Sequence, residues 1–257
     1  MKIKRIQVFL IGLLLVSGHV LGLDAVEIME KADEIMKIQT SLSISAMTIT
    51  TTSGSQREFL MWGMAMGDRM VSKFASGLVK GLTMLSIDNG DEIWVYFRSS
   101  GRTRRLASHA KHSGVAGSDF SYDDMANTKY SQVYNCKLLE TNDTHYHLEL
   151  IPKKPNQTPY QKLLVRVRKD NFVPENILYF NKDGEKFKQF IIKEIQTISG
   201  ILTPMYYEMK NLLTQSVTTI KMKRIKYVPQ LQKVFFSTNG LSRSLETWKA
   251  TYPFFGE

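Results

Sequence analysis

The residues of this sequence best suited to chemistry are three aspartates in the stretch GSDFSYDDM, residues 117–125. Two carboxyl groups held close together can act as general acid and base. Asp119, Asp123 and Asp124 lie four and five positions apart, however, and this spacing alone does not bring their carboxylates to one point. An acidic site and a structural loop are both open interpretations of this stretch.

The histidines and the single cysteine offer little further chemistry. His145 and His147 would share one face of a predicted strand, and without an evident third ligand this face is predicted to be solvated rather than metal-binding. Cys136 follows strand alternation and is predicted to be a buried structural thiol rather than a nucleophile. Nucleophile-elbow, P-loop and HExxH motifs are absent. The sequence thus predicts no enzyme, cofactor or metal, with a hydrolase as a weaker alternative.

The first 22 residues predict a secretory signal peptide. Lys2, Lys4 and Arg5 precede an apolar run, and small residues lead to a cleavage point after Gly22. A membrane anchor is the alternative, but a spanning helix needs roughly 20 apolar residues. No cysteine follows the run, so we expect a periplasmic protein that is exported without lipidation.

The charge and cysteine content limit the possible partners. Of 34 basic and 24 acidic residues, cleavage would remove three basic ones, which leaves 31 and a formal charge of +7. Such a charge favours transient contact with an anionic membrane surface or an acidic partner. Nucleic acid is not expected, because the basic residues are dispersed. One cysteine excludes an internal disulfide, and we expect residues 23–257 to form a single monomeric domain.

The hydrophobic periodicity predicts one helix followed by many strands. Asp24 and Glu27 form a capping-box pattern before a helix over residues 25–39. From Ser41 the period changes to two, and Leu42 alternates with serines that would form a polar face. Similar runs with turns between them predict about eleven antiparallel strands. The fold class is mainly β with helices, and a sheet of this size should curl into an incomplete barrel.

Several strands are apolar on both faces, so something must cover the second face. A helix of about 15 residues spans only about 22 Å and cannot cover the sheet alone, which favours an apolar cavity. Core filling is the alternative, although clustered methionines suit variable apolar partners. Either face of each strand could be the inner one. The candidate lining residues are Leu60, Trp62, Met64, Met66, Trp94, Tyr96, Tyr179, Phe190 and Tyr207.

The chain contains, in this order, KGLTMLSI, DEIWVYF, GRTRRL, GSDFSYDDM, YQKLLVRVRKDNFVPENILYFNKDGEKFKQF and TPMYYEMKN. In these segments it resembles the outer-membrane lipoprotein-sorting proteins, the periplasmic LolA/LolB-like group. The resemblance implies an incomplete antiparallel β-barrel with a helical lid over an apolar cavity. It also implies a carrier that delivers lipid or lipoprotein acyl chains towards the outer membrane. An accessory protein docked on a resistance-nodulation-division-type inner-membrane transporter is the alternative.

On this interpretation GSDFSYDDM is a loop that leads into a short helix rather than an acid catalyst. Ser121 or Asp119 would cap a helical turn that begins near Tyr122. Phe120 and Tyr122 would anchor the loop against the barrel rim.

The acidic residues of this loop have possible partners in the preceding arginine pair. Asp123 and Asp124 are predicted to pair with Arg104 or Arg105. The same loop and arginine pair could instead form a docking surface for a partner protein.

Overall fold

The structure is a computed structural model that describes residues 23–37, 39–126 and 128–256. The predicted signal peptide, residues 1–22, lies outside the described residues. Helix α1 (Ala25–Met36) begins with the predicted capping box. The Asp24 carboxylate accepts hydrogen bonds from the N–H groups of Val26 and Glu27, each 2.8 Å long, and the Glu27 side chain accepts one from Asp24 N. The helix is shorter than the predicted range of 25–39.

The sheet contains thirteen strands, where the sequence predicted about eleven. A strand of four residues that holds three arginines, β6, was not predicted, because it shows no apolar alternation. The strands are β1 (Ser41–Thr50), β2 (Gln56–Met66), β3 (Arg69–Phe74), β4 (Thr83–Ile87), β5 (Glu92–Phe97), β6 (Arg102–Arg105), β7 (Tyr134–Thr141), β8 (His145–Pro152), β9 (Lys162–Arg168), β10 (Pro174–Phe180), β11 (Lys186–Ile198), β12 (Ile201–Asn211) and β13 (Val217–Tyr227).

The strand order places the first and last strands side by side in the middle of the sheet. It runs β6-β5-β4-β3-β2-β1-β13-β12-β11-β10-β9-β8-β7, and every pairing is antiparallel. Strands β6 and β7 are the two edges, so the sheet is unclosed. The predicted incomplete antiparallel barrel is confirmed.

Residues 106–133 connect the two edges of the sheet. This connecting segment includes the short helices α2 (Ser108–Lys111) and α3 (Tyr130–Val133), and it carries the GSDFSYDDM stretch. Helix α1 packs against α3 and β7. Because the connection has to pass from one edge to the other, it is well placed to close the open side of the curved sheet.

The chain after β13 forms a C-terminal segment, residues 228–256, that contains helix α4 (Leu245–Thr251). Ser244 caps this helix, and its hydroxyl accepts a 3.1 Å hydrogen bond from Thr247 N. None of the described helices combines the length and apolar composition needed to cross a bilayer.

Candidate functional site

Strands β1 to β5 contribute buried apolar residues on both faces of the sheet, and each face packs in a different hydrophobic cluster. In β2, Phe59 and Met61 belong to the inner cluster, which includes Ile28 and Met29 of α1. Trp62 and Met64 alternate with them and belong to the outer cluster. The inner face therefore meets α1, and the outer face meets another part of the chain.

The C-terminal segment covers the outer face of β1 to β5. Trp62 stacks on Phe255 with ring centroids 4.9 Å apart and lies 6.4 Å from the ring of Trp248. The buried residues that the segment contributes are Leu231, Phe235, Phe236, Leu241, Trp248 and Phe255. These apolar residues supply the second covering that the two-faced strands require.

This covering corrects the predicted lining of the cavity. Six of the nine predicted lining residues pack in the outer cluster: Leu60, Trp62, Met64, Met66, Trp94 and Tyr96. Trp62 and Met64 also border the cavity, but the other four do not. The alternation of the two strand faces was predicted correctly, but for these six residues the outer face was taken as the inner one. By contrast, the three candidates from later strands, Tyr179, Phe190 and Tyr207, pack in the inner cluster and border the cavity.

Lys73 links the C-terminal segment to β4 through hydrogen bonds on the outer face of the sheet. Its side chain is buried, and its ammonium donates hydrogen bonds to the Thr83 hydroxyl at 2.6 Å and to the Leu241 carbonyl at 3.2 Å. The ammonium also lies 5.7 Å from the ring centroid of Trp248. Burial lowers the pKa of Lys73 to about 8, and the charge of Arg98 acts in the same direction. No local pattern around Lys73 predicts this contact between distant segments.

A cavity of about 280 Å³ lies between the inner face of the sheet, α1 and the connecting segment. Residues on its walls include Met29, Met61, Phe120, Tyr179, Phe190 and Tyr207. An engineered apolar cavity of about 150 Å³ admits benzene, so this volume suits a hydrocarbon segment of roughly ten carbon atoms.

The cavity exists because β1, β2 and β3 present small residues on their inner face. Ser43 pairs with Gly63, which in turn pairs with Ser72, and all three border the cavity. A Cβ atom at Gly63 would lie 2.3 Å from the Ser43 hydroxyl, so the two strands leave no room there for a larger pair. The predicted polar face of β1 thus points into the protein, and its small side chains leave space that α1 does not fill.

The cavity reaches the surface at one end of the sheet. Exposed Lys37 and Gln39, which follow α1, border it together with Ile201 and Tyr227. These last two residues mark the start of β12 and the end of β13, which antiparallel pairing places at the same end. We call this the open end.

The GSDFSYDDM stretch lies over the opposite end of the cavity. Phe120 is buried and packs edge-to-face against Phe190 and Tyr207, with ring centroids 6.3 and 6.1 Å apart. The Asp119 carboxylate accepts hydrogen bonds from the hydroxyls of Ser216 at 2.6 Å and Thr218 at 2.7 Å. The predicted anchoring role of Phe120 agrees with this geometry, whereas Asp119 ties the loop to β13 rather than capping a helix.

Tyr122 is also buried, but no helix begins at this residue. Residues 121–125 form a single hydrogen-bonded turn. Asp124 N donates to the Ser121 hydroxyl at 3.1 Å, and Ser121 N donates to the Asp124 carboxylate at 2.7 Å. This reciprocal pair satisfies the N–H groups that a helix start would leave free, which confirms Ser121 as a cap but not the predicted short helix.

Asp124 forms a buried ion pair with Lys188 of β11. The side chain of Asp124 is 3 % exposed and that of Lys188 is 9 % exposed. The Tyr160 hydroxyl donates a 2.6 Å hydrogen bond to the same carboxylate. Burial alone would raise the pKa of Asp124, but the Lys188 charge and the hydrogen bonds from Lys188, Tyr160 and Ser121 hold it below its usual value. The acidic group is therefore satisfied by structural partners.

The predicted pairing of these aspartates with the arginine pair is wrong. Asp124 pairs with Lys188, and Asp123 lies 3.4 Å from the His112 ring nitrogen. Arg105 pairs with Glu92 at 3.0 Å, and Arg104 is exposed on β6. The arginine pair lies on the edge strand β6, whereas the Asp124 side chain points inwards beside β11, so the two groups do not meet.

Asp33 of α1 is a positioning residue that the sequence analysis missed. Its carboxylate accepts hydrogen bonds from the N–H groups of Tyr130 at 3.0 Å and Ser131 at 2.9 Å, at the start of α3. Burial raises the pKa of this carboxyl group. A buried acid on the apolar face of a predicted helix was the available signal, since such a group needs a partner.

The described residues give no sign of a metal centre. Within them, no three His, Cys, Asp or Glu side chains are grouped so as to hold a metal ion. Burial raises the pKa of the Cys136 thiol to about 11, so the reactive thiolate is scarce near neutral pH. What the site offers chemically is mainly apolar space, bordered by hydroxyl groups and by a few charged side chains such as Asp33 and Lys37.

The fold is similar to that of several solved structures. An outer-membrane lipoprotein-sorting protein domain from Vibrio parahaemolyticus is 20% identical, with a TM-score of 0.76 over 85% of this chain and 98% of that chain. A LolA-superfamily protein from Nitrosomonas europaea is 22% identical, with a TM-score of 0.68 over 84% and 98%. The chain has the LolA-like fold, and the sequence resemblance to the lipoprotein-sorting proteins is confirmed at the level of the fold.

A family model with the description "Uncharacterized protein" matches residues 67–243, and the chain belongs to that family. A DUF1329 family protein from Desulfovibrio piger is 24% identical, with a TM-score of 0.74 over 84% of this chain and 97% of that chain. No curated protein matches the sequence.

Proposed function

We propose that this chain is a periplasmic carrier that holds lipid or lipoprotein acyl chains in the cavity and delivers them towards the outer membrane. The observation that carries the proposal is the apolar cavity over the small residues of β1 to β3, with one end reaching the surface. The names of the matched Vibrio and Nitrosomonas structures support the same class of cargo. The protein acts by binding and not by catalysis.

The cavity can supply enough binding energy for this task. Each buried methylene contributes about 0.8 kcal/mol, so roughly ten of them would contribute up to about 8 kcal/mol before the costs of ordering the chain. That total corresponds to micromolar affinity at best, which permits release as well as capture. A longer chain would leave its remaining methylenes and its head group at the open end.

The two ends of the cavity suit different roles. The end beneath Phe120 is fixed by the Asp119 contacts to β13 and by the buried pair of Asp124 and Lys188. The open end is bordered by the exposed Lys37 and Gln39. Cargo would therefore enter and leave beside the end of α1, and transient contact with an anionic membrane surface would involve this end.

The location and domain organisation belong to the same proposal. Periplasmic location rests on the signal-peptide pattern of residues 1–22. Residues 23–257 would act as one monomeric lipid-binding domain. A transporter partner stays a prediction, because the described contacts do not single out a docking surface for one.

A cavity-filling variant tests the proposal. Ala65 is buried, borders the cavity and lies beside Ser41 in the sheet. Ala65→Leu would displace about three methylenes of the ligand and weaken binding roughly fiftyfold. Ala65→Ser, which adds one small atom, is the matched control and should bind within about twofold of the wild type.

The measurement is native mass spectrometry of protein purified from the periplasm, followed by titration with lauroyl lysophosphatidylcholine. Co-purified lipid on the wild type and its loss from Ala65→Leu are the expected results. A wild type that carries no lipid and does not bind the added probe would refute the carrier.

A further inference from the structure

Strand β1 carries a row of hydroxyl groups along the inside of the cavity. Ser41, Ser43 and Ser45 alternate with outward-facing residues, and all three border the cavity. Ser41 is 3% exposed and Ser45 is 8% exposed. Alternate residues of a strand lie roughly 7 Å apart, so the row runs from the open end, where Ser41 lies, towards the interior beside Met61.

None of these three hydroxyl groups makes a hydrogen bond to another described residue, and none is among the buried side-chain atoms without a partner, so their oxygens are accessible from the cavity. By contrast, Tyr130 pairs with Tyr179 at 3.3 Å, and Thr203 pairs with Tyr227 at 2.6 Å. Water can hydrate accessible hydroxyl groups, but an acyl chain that fills the cavity displaces that water. The hydroxyl groups would then be buried without a partner, which costs free energy unless the ligand supplies acceptors.

Because the serine hydroxyls are hydrogen-bond donors, the ligand group that meets them must be an acceptor. A saturated hydrocarbon has no acceptor, and an ether oxygen is a weak one. An ester carbonyl oxygen accepts a hydrogen bond from a hydroxyl and lies where the acyl chain joins its head group. Because the donors repeat along the strand, such a carbonyl would meet one whether the chain is inserted shallowly or deeply.

We propose that the serine row of β1, Ser41, Ser43 and Ser45, recognises the ester carbonyls of acylated lipids and makes the cavity selective for acyl esters over alkyl ethers. This inference rests on the proposed carrier function and names its substrate class. The three serines are binding residues, while the apolar walls of the cavity hold the chain.

A competition experiment separates this inference from the carrier function itself. Equimolar lauroyl lysophosphatidylcholine and its dodecyl ether analogue are mixed with the full chain, and the ratio of the two bound forms is measured by native mass spectrometry. We expect the wild type to prefer the ester by roughly fivefold, the value of one net hydrogen bond. The triple variant Ser41→Ala, Ser43→Ala, Ser45→Ala should bind both probes equally.

Two controls keep the result interpretable. Thr48→Ala removes a hydroxyl from the opposite face of the same strand and should keep the wild-type preference. Ser43→Ala alone replaces the triple variant if the latter does not fold, and it should reduce the preference. Equal binding of ester and ether by the wild type, or an unchanged preference in the serine variants, overturns the inference while leaving a carrier in place. Failure of the wild type to bind either probe refutes the carrier, and the inference with it.

Discussion

The indole ring of Trp62 stacks on the ring of Phe255, with ring centroids 4.9 Å apart and planes inclined by 16°. Residues nearly two hundred positions apart are thus joined on the outer face of the sheet. The contact explains how a sheet with two apolar faces holds an internal cavity, because the C-terminal segment covers one face and leaves the other to α1 and the connecting segment.

The first prediction concerns this contact. Trp62→Ala should lower the free energy of unfolding by about 3–5 kcal/mol, the usual loss when a large buried aromatic side chain is removed. Urea denaturation measures it. Trp94→Ala is the matched control and should cost less, because Trp94 is only partly buried and its indole bonds to Glu92. A variant that stays as stable as the wild type but loses acyl binding would show that Trp62 serves the cavity instead.

The buried ion pair gives a prediction about pH. Asp124→Asn leaves the Lys188 charge buried without its partner and should cost about 3–5 kcal/mol near neutral pH. Since the pKa of Asp124 is lowered by folding, its contribution is present above the ordinary aspartate pKa of about 3.9 and is lost as the pH falls through the folded value. The difference in unfolding free energy between variant and wild type should therefore shrink in acid.

The control for this prediction is Asp170→Asn, which removes an exposed pair with Arg168. Such exposed pairs contribute little to stability because solvent screens them, so this variant should be nearly as stable as the wild type at every pH. A difference between Asp124→Asn and wild type that stays constant from neutral pH to strong acid would contradict the assigned role of Asp124.

Lys73 should also make stability rise with pH, but in the alkaline range. Its pKa falls to about 8 in the folded protein, so between this pH and the ordinary lysine value of about 10.4 the unfolded chain binds more protons. The wild type should gain stability over this range as the pH rises, and Lys73→Met should lose that gain. Urea titrations at several pH values test it, with exposed Lys80→Met as the control. Equal slopes for Lys73→Met and wild type would show that Lys73 is not buried in solution.

Asp33 should control how fast the cavity exchanges its contents. Asp33→Ala removes the acceptor for two N–H groups at the start of α3 and should cost about 1–3 kcal/mol. With α1 less firmly tied to the connecting segment, bound lauroyl lysophosphatidylcholine should leave faster in a stopped-flow displacement experiment. Glu34→Ala removes only an exposed pair with Lys37 and should leave the rate unchanged. Identical release rates for Asp33→Ala and wild type would exclude α1 as a movable lid.

Local patterns predicted helix α1 and most of the strands, but not β6 and not which face of the sheet is inner. The capping box of Asp24 and the alternation after Ser41 depend on neighbouring residues, and both predictions agree with the structure. The position of the six candidates that pack in the outer cluster depends on a segment far away in sequence. Phe235, Trp248 and Phe255 show no strand or long-helix period, so nothing local indicated that they cover Trp62.

The serine face of β1 is a second case in which the local sequence did not show which face of a strand is inner. Alternating serines are typical of a solvated strand face, yet Ser41 and Ser45 are buried because the inner face of the sheet is covered. Likewise, the choice of Lys188 over the arginine pair as the partner of Asp124 depends on where β11 lies relative to β6. The spacing of residues along the sequence does not indicate such contacts between distant segments.

If the protein is an acyl carrier, an acyl chain occupies the space between α1 and the inner face of the sheet. The decisive measurement is a crystal structure with bromododecanoyl lysophosphatidylcholine, located by the anomalous signal of its bromine. We expect a bromine peak inside the cavity bordered by Met61, Tyr179 and Phe190. A peak only in the outer groove beside Lys226 and Phe254, with the cavity empty, would contradict it.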